Sequence, residues 1–152
     1  MKLLLENWRK YLNENEENEF GPGMQKVRDY YNSEEVHKYN DLSQSGMTGP
    51  EVFDMAYKLS RMETEQTLAL IDSLGYSPLT TEVIMRAVSS VLIAEQEDLR
   101  KEWIDVTRGR STIADNDVQS LKTAREMSLV RSRDFMTAWA KKRKEMNNET
   151  PT

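Results

Sequence analysis

From Thr48 to Met146 apolar residues recur at helical spacing with almost no interruption, and no other periodicity in the chain competes with them. A period near 3.6 places one side of each segment against a core and commits the chain to helices. Thr48-Gly49-Pro50-Glu51 fits a capping box with Pro in the first turn. Val52, Ala56, Leu59, Met62, Leu70 and Leu74 then keep the period up to Gly75, a good residue for closing a helix. Ser77-Pro78 opens a second helix. Its stretch Val83 to Ala94 is apolar almost all round, so it is expected to be the most buried part of the domain. The same helix runs on through Leu99, Trp103 and Val106 and stops near Gly109, leaving Arg110 to Asn116 as a loop. Asp115 or Asp117 caps a third helix carrying Val118, Leu121, Ala124, Met127, Val130, Phe135, Ala138 and Trp139. Lys141-Lys142-Arg143-Lys144 is placed in its last turn, where cations complement the helix dipole. The alternation and Asn-Gly turns of hairpins are missing, so the expected fold is all-α: three long antiparallel helices in a bundle with a small N-terminal helical piece.

The organisation ahead of residue 48 is weaker. Residues 1–14 suit a short amphipathic helix, with Leu4, Leu5, Trp8, Tyr11 and Leu12 on one face. Residues 15–23 read as a polar, acidic linker ended by Gly21-Pro22-Gly23. The helical domain is taken as 24–146. It begins with turns around Val27, Tyr30 and Tyr31, and Ser33 is a candidate cap for Glu34-Glu35-Val36-His37. Residues 147–152 read as a frayed tail.

Composition narrows the chemistry. There is no cysteine, which excludes disulfides, thiolate metal sites and Cys nucleophiles. No apolar run reaches the roughly 18–20 residues of a membrane span, so no membrane partner is expected. Glu34-x-x-His37 has the spacing of a di-iron bundle motif, but such sites need two of these motifs and His37 is the only histidine. No metal or other cofactor is expected. Glu95 follows Val91-Leu92-Ile93-Ala94 and suits a buried carboxylate paired with Arg125 or Arg131. An enzyme working through such a carboxylate is the least favoured reading. The six methionines at positions 47, 55, 62, 85, 127 and 136 read as adaptable core filler.

Charge is uneven. Residues 111–146 hold eight basic and five acidic side chains, a net of +3, against −8 for the rest of a chain whose total is −5. Arg108, Arg110, Lys122, Arg125, Arg133, Lys141, Lys142, Arg143 and Lys144 form the candidate partner surface, suited to packaged DNA or to an acidic protein surface.

The N-terminal residues carry the one resemblance. Met1-Lys2 opens a segment of fourteen residues that is basic, aromatic and apolar, ends in Leu12-Asn13-Glu14 and precedes an acidic linker. This resembles the capsid-targeting propeptide of T-even-type tailed-phage head proteins, although it is richer in Leu and Trp than the more polar forms. The resemblance implies delivery into the prohead, so the expected location is the phage head interior, with the host cytoplasm as the alternative, and removal of residues 1–14 by a prohead protease that cuts after Leu-x-Glu. Leu4-Leu5-Glu6 matches the same tripeptide, but cutting there would remove half the amphipathic face, so Glu14 is the expected site. The function implied is a non-enzymatic phage structural or internal head protein, whose partners are capsid or scaffold proteins. The alternative is a helical interaction module or small homo-oligomer with no role in a virion.

Overall fold

The computed structural model describes residues 21–109 and 115–149. The expected cleavage tripeptide Leu12-Asn13-Glu14 and Arg110 lie outside the described residues. Six α-helices and one 3-10 turn account for nearly all of the rest, and no strand is present among them. They are α1 (Pro22–Asn32), the 3-10 turn Glu34–Lys38, α2 (Asn40–Gln44), α3 (Gly49–Ser60), α4 (Thr64–Leu74), α5 (Pro78–Thr107) and α6 (Asp115–Glu149). The fold is all-α.

Local signals place most boundaries. The box at α3 is complete: the Glu51 amide donates to Thr48 Oγ1 (3.2 Å) and the Thr48 amide donates to Glu51 Oε1 (3.1 Å). These bonds hold the exposed Glu51 carboxyl below its usual range. Ser77 Oγ accepts from the Thr80 amide (3.2 Å) at the start of α5. α5 is the central helix, packed on by α1, α2, α3 and α6. From Val83 to Leu92 it buries Val83, Ile84, Met85, Ala87, Val88, Val91 and Leu92 completely, with Arg86 emerging at the surface. α5 and α6 run antiparallel, with Leu99 packed near Leu121 at one end and Glu82 bonded to Arg143 at the other. At 1.5 Å per residue they are about 45 and 52 Å long. The main core joins α1, α3, α4, α5 and the C-terminal half of α6. A separate small cluster of Leu99, Leu121 and Ala124, flanked by Trp103 and Val106, occupies the open end of the α5–α6 hairpin.

Three features depart from the sequence reading. The first expected long helix is two helices, because the chain turns a corner at Arg61-Met62-Glu63 between α3 and α4. Gly21-Pro22-Gly23 starts α1, with Gly21 as N-cap and Pro22 in the first turn, where its missing N–H costs nothing. At the other end α6 continues through Asn147 and Asn148 to Glu149, so Lys141 to Lys144 lie more than a turn before its end.

Close packing of α3 against α1 rests on Gly49. A Cβ there would sit 1.9 Å from the Tyr31 carbonyl oxygen, so only glycine lets the two backbones meet. Tyr31 is buried and stacks on Phe53 at 6.5 Å, and burial pushes its phenol up to about 12.

Candidate functional site

The principal polar constellation sits where α3 ends against α5 and α6. Ser60 Oγ donates to the Tyr57 carbonyl (2.6 Å), and the Arg61 amide donates to the carbonyls of Lys58 and Leu59. The last carbonyls of any helix have no partner of their own, and here α6 supplies one. Arg131 Nε donates to the Ser60 carbonyl (2.8 Å) and Arg131 Nη2 to the Leu59 carbonyl (3.0 Å). Thr67 of α4 donates its hydroxyl to the Leu59 carbonyl (2.9 Å) and to that of Glu63 (3.2 Å). Burial pulls the Arg131 guanidinium below its usual value, although Glu63 opposes this. A cation at a helix C-terminus also meets the negative end of the helix dipole.

Glu95 lies beside this constellation and is buried, as expected, but its partner is Arg61, the first residue past α3. Arg61 also lies over the Tyr57 ring at 4.8 Å. Arg131 is committed to the two carbonyls, and Arg125 lies toward the open end of the hairpin. Neither of the two arginines expected for Glu95 therefore holds it. The pairing closes a carboxylate inside the bundle, which suits architecture better than chemistry.

A second constellation fixes the start of the described chain. The amides of Gly23 and Met24 donate to the two carboxylate oxygens of Asp98 on α5, at 2.6 and 2.9 Å. Asp98 thus does for α1 what a capping side chain at its own N-terminus does elsewhere. A Cβ on Gly23 would lie 2.8 Å from Asp98 Oδ1 and 3.2 Å from the Ala94 carbonyl, so this approach too needs glycine. Replacing Asp98 by Ala is expected to cost about 0.5–2 kcal/mol, the usual range for a lost N-cap. Hydrogen exchange should then quicken at Gly23 to Lys26 while α6 is unaffected. An unchanged exchange pattern would mean that the cap contributes nothing.

The basic residues do not form one surface. Lys122 and Arg125 line a shallow groove of about 170 Å³ with Trp103, Glu126 and Leu129. Arg108 and Arg133 are exposed elsewhere. Lys122 and Arg143 are separated by about 31 Å along α6 at the helical rise. Of the Lys141–Lys144 run, Lys142 is paired with Asp72 of α4. Arg143 Nη2 donates to Glu82 (2.9 Å), and its guanidinium lies over Trp139 at 4.9 Å. Those two cations fasten α6 to α4 and α5, while Lys141 and Lys144 face solvent. Glu34 and His37 are exposed on the 3-10 turn. Among the described residues no group of three or more His, Asp or Glu is placed to hold a metal. No described helix is long and apolar enough to cross a membrane.

Fold and site together define an all-α domain built on a long helical hairpin, with a corner clamped from across the bundle. No family model, curated protein or solved structure matches the chain.

Proposed function

We propose that this chain is a non-enzymatic head protein of a tailed phage, carried into the prohead by residues 1–14 and trimmed after Glu14 by the prohead protease. The observation that supports this most is the Asp98 anchor. At the start of the first described helix the Gly23 and Met24 amides are capped by Asp98 on α5. A cut after Glu14 falls several residues before Gly21 and leaves that cap intact. Glu95, the carboxylate best suited to chemistry by sequence, is neutralised by Arg61 inside the bundle, in keeping with a structural role. Contact with shell or scaffold is assigned to the groove where Lys122 and Arg125 flank Trp103 and Leu129, because cations beside exposed apolar surface suit an acidic protein partner. Packaged DNA is a weaker fit, since the remaining cations are dispersed or already paired within the chain.

Intact-mass measurement tests the reading. The protein is expressed alone and beside its cognate prohead protease. Loss of residues 1–14 only in the second sample is expected, and Glu14→Gln should abolish it. A chain that stays whole in both samples, or is cut after Glu6, refutes the assignment. On this reading residues 1–14 carry no core contacts, so a protein starting at residue 15 should melt within about 2 °C of the full chain, a change of no more than about 0.5 kcal/mol.

A further inference from the structure

The corner between α3 and α4 carries no helix-breaking residue. Arg61-Met62-Glu63 contains neither Gly nor Pro, and the apolar period of α3 continues through it into α4. Arg61 is still helical, at φ −85° and ψ −9°, while Glu63 is extended, at φ −64° and ψ 149°, and caps α4 without a side-chain bond. Moving ψ of Glu63 toward −40° would bring it into the helical region. In a continuous helix the Leu59 and Ser60 carbonyls would accept from the amides of Glu63 and Thr64. In the observed corner the Ser60 carbonyl accepts from Arg131, and the Leu59 carbonyl accepts from Arg131, from Thr67 and from the Met62 amide (3.1 Å). The local turn bonds are thus completed from outside the segment, by a side chain 71 residues away from Ser60.

We propose that this corner is a hinge at which two copies of the chain exchange their N-terminal halves, and that Arg131 is the latch that keeps each copy closed. When the corner straightens, α3 and α4 become one helix of 26 residues, about 39 Å long. Residues 21–60 then leave their own α5 and pack on the α5 of a second copy. The contacts that α1 and α3 make with α5 re-form between copies, including the Asp98 cap on Gly23 and Met24. α4 stays on its own α6 through their packing and the Asp72–Lys142 pair. The exchange is reciprocal and closes as a two-fold dimer. Its cost is association entropy and loss of the latch. Its gain is a helix whose carbonyls are satisfied internally. Crowding many copies into a confined volume favours the exchanged form by mass action. The inference stands on the corner alone and does not depend on how the protein is delivered.

Two substitutions test it. Arg131→Met keeps an unbranched apolar stem and removes both donors. Thr64→Pro places Pro at the first position of α4, where its fixed φ is welcome and the extended Glu63 before it is the preferred conformation. In a straight helix the same Pro would clash with the Ser60 carbonyl. Light scattering after size exclusion should show Arg131→Met dimerising with a Kd at least about tenfold below that of the wild type, because the lost hydrogen bonds penalise only the closed form. The double variant R131M/T64P should be monomeric at the same concentrations. A folded Arg131→Met protein that stays monomeric overturns the proposal, as does a dimer that persists in R131M/T64P. Should Arg131→Met fail to fold, wild type and Thr64→Pro are each refolded from denaturant at high concentration. Dimer in the wild type and at least several-fold less in Thr64→Pro is expected. Equal amounts, or none in either, overturn the proposal.

Discussion

Arg61→Met is expected to destabilise the fold by about 3–5 kcal/mol, because it leaves the Glu95 carboxylate buried with no cation beside it. The two partners differ in their access to water: the Arg61 side chain is 16% exposed and that of Glu95 only 4%. Glu95→Met should therefore cost less than Arg61→Met, since an orphaned guanidinium at the corner can turn toward solvent. The double variant R61M/E95M should recover most of the loss, as apolar replacement of a whole buried pair is often near neutral. In Arg61→Met the carboxylate escapes its charge by taking up a proton. That form is favoured in the folded state, so the deficit should shrink in mildly acidic buffer and grow in mildly alkaline buffer. Urea titrations of the four proteins at two pH values measure all of this. A loss under about 1 kcal/mol in Arg61→Met would mean that the carboxylate is already hydrated or protonated.

Features encoded by neighbouring residues were legible in the sequence, and features encoded by residues far along the chain were not. Thr48 and Glu51 and Ser77 with Pro78 act within a few residues and are found where their patterns place them, and the run Val83 to Ala94 is buried except at Arg86, Ile93 and the half-buried Ser89 and Ser90. The corner at residues 61–63 left no such trace, because the partner that completes it is Arg131 on α6. Gly21-Pro22-Gly23 read as a linker ending for a similar reason. Pro at the first helical position was a usable signal, but the cap that makes it a helix start comes from Asp98. Burial of Glu95 could be read from its apolar neighbours, whereas the choice among Arg61, Arg125 and Arg131 depends on tertiary geometry. Lys142 and Arg143 belong by charge to the candidate partner surface, and their pairing with Asp72 and Glu82, residues 70 and 61 positions away, was likewise beyond local reading.

Phe135→Ala and Leu121→Ala should separate the two cores, although both side chains are fully buried on the same helix. Phe135 sits in the main core, where α1, α3, α4 and α5 converge, and a cavity there is shared by the whole bundle. Its removal should cost about 3–5 kcal/mol with an unchanged denaturant slope. Leu121 belongs to a cluster of three buried residues between two helices, with Trp103 and Val106 half exposed at its edge. A two-helix end with so little buried surface opens without unfolding the rest, and a local opening limits how much any substitution within it can cost globally. Leu121→Ala should therefore lower the global stability by clearly less than Phe135→Ala, despite a nominal Leu→Ala range of about 2–5 kcal/mol. Its mark should be faster hydrogen exchange at Leu99 to Val106 and Val118 to Arg125, with the main core unaffected. The groove of Trp103, Lys122, Arg125, Glu126 and Leu129 lies on this looser end. A partner that docks there would gain affinity by ordering the hairpin tip, and its binding should slow exchange in those two segments before any others. Equal costs for the two variants, with no local change in exchange, would place the tip inside the cooperative core and make the groove a rigid surface.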